Sequence, residues 1–549
     1  MIYRTFFRFV LAALLLFGAS HGLRAQAAAP TPVGILRMPP LPDMPDTINA
    51  VGYALDADQW LQLLVIFSLG PMGYPSFPGA SRTENTALLY FDAGEWADPP
   101  MVVMGNFAER SVIPKRIEEA GWTYRAYGDW YVFSPNPSDL AYVNADNLDA
   151  ILELVRKQRD FDFEFEVNRT QAELAAMREQ YTRDSLSAYL QNSGEALTQE
   201  GLDARMQQVE LAFAFLENFS SSSLGLSLDR QQLVIGTRQQ AWPDTPEAAF
   251  FSAPSGGETP VAERVPDTGA AALVYHVDPE AADDYMHVVL ERFRPAADEE
   301  QLAQIDRLES TLEDIFSEWD GTGAFSYQLQ DAQTNYTGVV GGDWTQEPFT
   351  RIFDEFFGNL VPEVLASLPE QDFDLSMDEA GGDAMGSQLV SSALPAALGS
   401  ILTGDAQSAE EAYSPPTHEI LDGRLYLATD PAALPGLIAY SNQAPADGTT
   451  PPPSLAERIT LEEGELLRGT IDLKQVALDG LEKLNFERMP TLKLSLDDIR
   501  AVDLEPVSLS LRTEDEALIG RIVIPIETVR ELTQFMNKIE LKQREQGIR

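Results

Sequence analysis

The chain has 549 residues, 44% of them hydrophobic and 9% aromatic, so it can bury a large core and is not a collagen-like, disordered or polytopic membrane sequence. Its 38 basic and 86 acidic residues give a net charge of −48, which argues against nucleic-acid binding. The sequence contains no cysteine. This excludes disulfides, a lipidated cysteine and any thiolate metal or nucleophile chemistry.

Residues 1–27 predict an export signal. Arg4 and Arg8 precede the apolar run 9–17, and residues 25–27 read Ala-Gln-Ala, a cleavage sequence of the A-x-A type. The apolar run is too short for a membrane span, which needs about 20 such residues. Cleavage after Ala27 removes three arginines and no acid, which leaves 35 basic and 86 acidic residues and a charge of −51. We therefore expect a periplasmic or secreted protein without an integral membrane span.

Segments rich in proline and glycine predict how the remaining chain is divided. The predicted parts are an extended proline-rich leader over 28–47, a first module over 48–252, a linker over 253–268 and a second module over 269–549. Two loops, 371–416 and 443–454, are predicted insertions in the second module. The leader is expected to lie outside the core, and the linker is expected to mark the boundary between the modules.

Three pairs of similar segments, in the same order in both halves, indicate an internal repeat. They are 53–56 with 275–278, 128–134 with 423–429, and 163–167 with 470–473. Each half also ends in a hairpin-like stretch, over 224–236 and over 507–524. We therefore predict two related modules, the second lengthened by its loops.

The hydrophobic patterns predict both strands and helices. Residues 160–167 alternate acidic and apolar side chains, which is typical of a half-buried strand with its acids on the outer face. Apolar residues three and four apart over 302–319 predict an amphipathic helix, and a second helix is predicted over 527–546. Strands come in runs without a strict βαβ alternation, so the sequence predicts an α+β fold of antiparallel sheets packed with amphipathic helices.

The sequence contains no concentrated catalytic signature. The histidines of the mature chain, His276, His287 and His418, do not form an H-x-x-x-H pair, and the only G-x-S-x-G match lies in the export signal. Asp267-Thr268-Gly269 has the wording of an aspartic-protease half-site, but no second copy exists, so we interpret it as a turn.

One loop has the oxygen density of a calcium site. Its candidate ligands are Asp372, Asp374, Ser376, Asp378 and Asp383. Met377 stands at the sixth position instead of glycine, and Asp383 stands at the twelfth instead of glutamate, so both diagnostic positions of an EF-hand differ. We therefore favour a solvated acidic loop and keep a calcium site as the alternative.

The export signal, the repeated Gly-x-x-Tyr-x-x-[Ser/Thr] strand and the hairpin-ended modules together resemble exported bacterial proteins of unknown function. That resemblance carries no site residues. Our first hypothesis is a non-enzymatic binding or envelope-assembly factor, with an apolar small molecule or an envelope protein as its partner. The alternatives are a hydrolase of polysaccharide or peptide that uses paired carboxylates, and a calcium-stiffened surface or adhesion component.

Overall fold

A computed structural model describes residues 32–54, 76–91, 100–168, 217–294, 299–330, 333–355, 416–442, 452–476, 478 and 500–545. Within these ranges the chain forms sixteen β-strands and ten α-helices. Neighbouring strands pair antiparallel. The predicted α+β class with antiparallel pairing is therefore confirmed.

The sixteen strands and ten helices have the following bounds. The strands are β1 (Gly34–Met38), β2 (Thr86–Tyr90), β3 (Met101–Asn106), β4 (Thr123–Tyr127), β5 (Trp130–Ser134), β6 (Phe163–Asn168), β7 (Phe219–Leu228), β8 (Gln232–Ala241), β9 (Ala271–His276), β10 (Trp319–Gln330), β11 (Gln333–Gly342), β12 (Thr417–Leu421), β13 (Arg424–Ala428), β14 (Glu465–Ile471), β15 (Val507–Glu514) and β16 (Ala517–Pro525). The helices are α1 (Met44–Ala54), α2 (Ile113–Glu119), α3 (Leu148–Arg156), α4 (Pro246–Phe251), α5 (Pro279–Phe293), α6 (Glu299–Glu318), α7 (Gln346–Glu355), α8 (Leu434–Ser441), α9 (Leu455–Arg458) and α10 (Ile526–Glu545). None of the helices in the described ranges has the length and apolarity needed to cross a bilayer.

The chain forms two compact units. The first comprises residues 1–240 with 521–538, and the second comprises 241–520 with 539–549. The helix that follows β8 therefore belongs to the second unit, and most of the helix that follows β16 belongs to the first. The predicted division placed all of 48–252 in one module and all of 269–549 in the other, so the two divisions differ at both exchanged helices.

The two sets of eight strands have the same order. Listed from the fourth strand of each set, the first is arranged β4-β5-β3-β2-β1-β6-β7-β8, and the second is arranged β12-β13-β11-β10-β9-β14-β15-β16. Counted from the first strand of each set, both orders read 4-5-3-2-1-6-7-8. A helix also follows the first, third and fifth strand of each set.

Two proline- and glycine-rich segments contribute to the packed structure, and for the leader this contrasts with the prediction. Within the predicted leader, β1 pairs with both β2 and β6, and Ile35 and Arg37 are fully buried. Within the predicted linker, Val261 and Val265 pack in the apolar core of the second unit. Proline is tolerated beside strands and in the first turn of a helix, so these prolines bound the elements without excluding them.

In each unit, clusters of apolar side chains pack the strands against helices at corresponding positions. In the first unit, one cluster joins β1, β2, β3 and β5 to α3, and another joins β3 and β5 to α2. In the second unit, one cluster joins β9, β10, β11 and β13 to α8, and another joins β11 and β13 to α7. In both units, different helices thus cover the odd and even side chains of the fifth strand.

The hairpin between the fourth and fifth strands shows which residues of the two units occupy equivalent positions. Tyr127 pairs with Trp130 across a two-residue turn, and Leu421 pairs with Arg424 across another. In the structure, Trp130 therefore corresponds to Arg424 and Val132 corresponds to Tyr426. The sequence match of 128–134 with 423–429 pairs each of these residues with the residue one position further along. A shift by one residue exchanges the two faces of a strand. Only the structural alignment pairs Val132, which packs against α3, with Tyr426, which packs against α8.

Candidate binding clefts

A cleft of 380 Å³ in the first unit is lined by charged and polar side chains. It lies where the segment between α3 and β6 passes the end of β7. Its lining residues are Thr83, Asn85, Arg156, Lys157, Gln158, Arg159, Asp160, Phe161, Asp162 and Ser227. Asn85 donates from Nδ2 to the carbonyl of Val155 at 2.9 Å, and Ser227 Oγ accepts from the Asp162 amide at 2.9 Å. These bonds fix both walls of the first cleft.

A group of buried charged side chains lies beside this cleft. Arg37 on β1 is fully buried and forms ion pairs with Glu164, at 2.8 Å, and with Glu166, both on β6. Lys157, a cleft residue, donates from Nζ to Glu166 Oε1 at 2.6 Å. The acids of the alternating strand are thus buried, where the sequence pattern had predicted an outer face. Burial by itself raises the pKa of Glu166, but the cations Arg37 and Lys157 hold that pKa below its usual value.

The basic side chains of the first cleft come from one short segment. Arg156, Lys157 and Arg159 occupy three of four consecutive positions in a chain with 38 basic residues among 549. Arg156 forms an ion pair with Glu84 at 3.1 Å and is half exposed. Burial lowers the pKa of Arg159 from its usual value, although a guanidinium stays protonated at any ordinary pH.

A second cleft, of 670 Å³, lies in the second unit and is strongly acidic. It is lined by Phe251, Ser252, Ala253, Pro254, Ser255, Glu463, Gly464, Thr513, Glu514, Asp515 and Glu516. Gly464 donates its amide to Ser255, and Thr513 donates its amide to Gly464, at 3.0 and 2.8 Å. Asp515 and Glu516 both have positive φ, as the two central residues of a type I′ hairpin turn require.

The two clefts occupy the same place in the strand order. Each is formed where the segment entering the sixth strand meets the end of the seventh strand: residues 156–162 with Ser227 in the first unit, and Glu463–Gly464 with Thr513–Glu514 in the second. Their charges differ, because the first carries three basic and two acidic side chains, whereas the second carries four acidic ones and no basic one. The two units thus share a cleft position with different chemistry.

The histidines singled out from the sequence lie apart and have separate surroundings. His276 ends β9 with Nδ1 2.6 Å from the carbonyl oxygen of Gly256. His418 lies on β12 between the rings of Phe349 and Phe353, at centroid distances of 4.9 and 4.3 Å. Among the described residues, His287 on α5 lies near enough to two carboxylates to share an ion with them.

His287 forms a candidate metal centre with two glutamates. His287 and Glu291 are four residues apart on α5, and Glu309 lies on α6. One ligand atom from each residue lies within 4.8 Å of the other two. A search for two histidines four apart misses this group. The signal that identifies it is H-x-x-x-E, because a carboxylate can replace the second imidazole.

Two further sequence candidates have different outcomes. Asp267 accepts from Arg458 Nη1 at 2.7 Å and leads into β9, in agreement with the interpretation of Asp267-Thr268-Gly269 as a structural turn. The candidate calcium loop, with Asp372, Asp374, Ser376, Asp378 and Asp383, lies outside the described residues. Calcium binding there stays a prediction.

Comparison with known proteins adds no family to these observations. No family model, no curated protein and no solved structure matches the chain.

Proposed function

We propose that the protein is an exported, non-enzymatic binding protein built from two related modules, with the cleft beside the sixth and seventh strands as its ligand site. The observation that carries the proposal is the recurrence of this cleft at the same place in two units of identical strand order. The export signal supplies the compartment, which is the periplasm or the medium.

The relation between the modules is supported beyond the strand order. The helices after the third and fifth strands cover corresponding strand positions in both units. The helices that follow the two eighth strands, α4 and α10, also have equivalent neighbours. Each of them packs on the helix that follows the first strand of its own unit. In one unit Phe250 of α4 stacks on Tyr285 of α5 at 4.9 Å, and in the other Arg530 of α10 lies over Tyr53 of α1 at 4.7 Å. Duplication of a single module accounts for all of these correspondences.

The lining of the first cleft favours an anionic group as its ligand. Arg156 and Lys157 are 50% and 42% exposed, so both cations are accessible while their acidic partners hold them in place. Guanidinium and ammonium groups bind phosphate or carboxylate oxygens through charge-assisted hydrogen bonds. The apolar ligand expected from the sequence stays a prediction, since the described clefts are lined mainly by charged and polar side chains.

Titration of the full chain with inorganic phosphate, followed by calorimetry, tests this proposal. We expect one site, with affinity reduced about tenfold or more in Arg156→Ala, because a charge-assisted hydrogen bond contributes about 1.5–3 kcal/mol. Arg116→Ala is the matched control: Arg116 is also half exposed and paired with one glutamate, but it lies on α2 away from the cleft. Equal loss in both variants, or no phosphate binding by the unmodified chain, contradicts the anion-binding cleft.

A second measurement addresses the natural ligand. The precursor is expressed with its export signal, and the processed protein is compared by native and denaturing mass spectrometry. We expect a bound polar mass that is lost on denaturation and is reduced in Arg156→Ala. A mass that is extracted into organic solvent and is unchanged in that variant supports the apolar ligand in place of the anionic one.

A further inference from the structure

We infer that His287, Glu291 and Glu309 bind one divalent transition-metal cation of the Zn²⁺ type. Their spacing supplies the first argument. Residues four apart on a helix project from the same face, so His287 and Glu291 both face the neighbouring helix that carries Glu309. One imidazole nitrogen and two carboxylate oxygens form a common three-ligand set for Zn²⁺, with one position left for water or a ligand.

Glu309 supplies the second argument. Its Oε1 atom is buried and contacts Nδ1 of His287, so two of the atoms that would bind the metal lie side by side. A buried carboxylate oxygen is costly unless a charged or hydrogen-bonding partner approaches it, and a metal ion would be such a partner. His287 is 57% exposed, so an ion can reach its imidazole from solvent.

Arg294 holds the opposite sides of both carboxylates. Its Nε lies 2.6 Å from Glu291 Oε1, and its Nη2 donates to Glu309 Oε2 at 2.5 Å. Contacts of this kind orient metal-binding carboxylates without occupying the metal position. Arg294 also pairs with Asp306, so three carboxylates share one guanidinium and two negative charges are left over. A divalent cation cancels that excess.

The preference for Zn²⁺ over Ca²⁺ follows from the ligand set. Calcium takes six to eight oxygen ligands, whereas this group offers one nitrogen and few oxygens. Imidazole ligation favours Zn²⁺ and its neighbours among the transition metals. None of the three ligands belongs to the calcium loop considered in the sequence, which begins at Asp372.

The test is a calorimetric titration of the metal-free full chain with Zn²⁺, in parallel with Ca²⁺. We expect a site of stoichiometry one for Zn²⁺, weakened at least tenfold in His287→Ala and in Glu309→Gln. His287→Ala is decisive, because it removes the nitrogen ligand and leaves every carboxylate of the group in place. Glu118→Gln, at an exposed position of α2 in the other unit, is the control for the general attraction of cations to an acidic chain.

Three outcomes overturn the inference: no Zn²⁺ site in the unmodified chain, unchanged affinity in His287→Ala, or equal weakening in Glu118→Gln. Circular dichroism of each variant separates loss of the site from loss of the fold. The phosphate titration of His287→Ala separates this inference from the proposed function. Anion binding at the first cleft should be unaffected, because none of the three metal ligands lines that cleft.

Discussion

Replacing Arg37 with alanine is expected to lower the free energy of unfolding of the first unit by about 3–5 kcal/mol. Arg37 is fully buried between Glu164 and Glu166, which are themselves almost completely buried. The variant leaves Glu164 without this ion pair and Glu166 with Lys157 alone, so an uncompensated negative charge remains inside the sheet. Native-state hydrogen exchange measures the effect in the strands β1 and β6, which carry these side chains.

Arg116→Ala provides the control for this prediction, because the Arg116 to Glu119 pair is exposed and such pairs contribute about 0–1 kcal/mol. A variant Arg37→Met tests a further point. If the cost comes from the unpaired acids, methionine restores packing volume but recovers little of the stability. Full recovery in Arg37→Met shows that packing, and not charge, is the cause.

The same group of charges predicts the direction of a pH dependence. The pKa of Glu166 is held below its usual value of 4.5 in the folded chain by Arg37 and Lys157, against the opposing effect of burial. Its stabilising contribution is therefore fully present above the pKa of the unfolded chain, and it is lost as the pH falls through the lower folded pKa. We expect the stability difference between the unmodified chain and Arg37→Ala to be largest near neutral pH. It should shrink as the pH falls below about 4.5. A difference that stays constant between pH 7 and pH 3 contradicts this account.

Patterns within one element predicted that element well. The alternation over 160–167 corresponds to β6, and the helical spacing over 302–319 corresponds to α6. Both hairpin-like ends are the strand pairs β7 with β8 and β15 with β16. These features depend on residues two to four positions apart, which a single sequence displays directly.

Features that depend on distant segments were not predictable in the same way. The acidic face of β6 is buried because Arg37 lies opposite it, 127 residues away from Glu164. The proposed match of 53–56 with 275–278 paired the last two residues of α1, Tyr53 and Ala54, with the last two of β9. The strand that precedes α1 lies in the proline-rich segment.

The clefts could not be predicted from the sequence either. Each is assembled from chain segments brought together only by the sheet, such as Asn85, Arg156 and Ser227 in the first unit. The cluster of basic residues at 156–159 was visible in the sequence, and it marks one wall. The opposing wall has no local signal, since Ser227 is an ordinary strand residue. The strand order was required to show that the second cleft lies at the corresponding position.

Replacing Tyr426 with alanine is expected to cost about 3–5 kcal/mol in the local stability of the second unit. Tyr426 is almost fully buried in the apolar core of that unit, and its hydroxyl lies 2.7 Å from Ser441 Oγ. Removing the ring leaves a large cavity between β13 and α8, because the surrounding side chains can close it only in part. Hydrogen exchange of β9, β10 and β13 reports the loss, whereas the strands of the first unit should keep their protection.

The matched variant Tyr426→Phe removes only the hydroxyl. We expect a cost of about 1 kcal/mol, because Ser441 Oγ still accepts from Arg264 at 3.1 Å.

Val132 holds the corresponding position in the first unit, so Val132→Ala should destabilise that unit by about 2 kcal/mol, according to its smaller volume. The sequence match would instead align Val132 with Leu427, which packs in the other cluster of the second unit. Loosening of α8 by Tyr426→Ala and of α3 by Val132→Ala supports the structural alignment. If Val132→Ala loosens α2 and leaves α3 protected, the correspondence between the two cores is wrong.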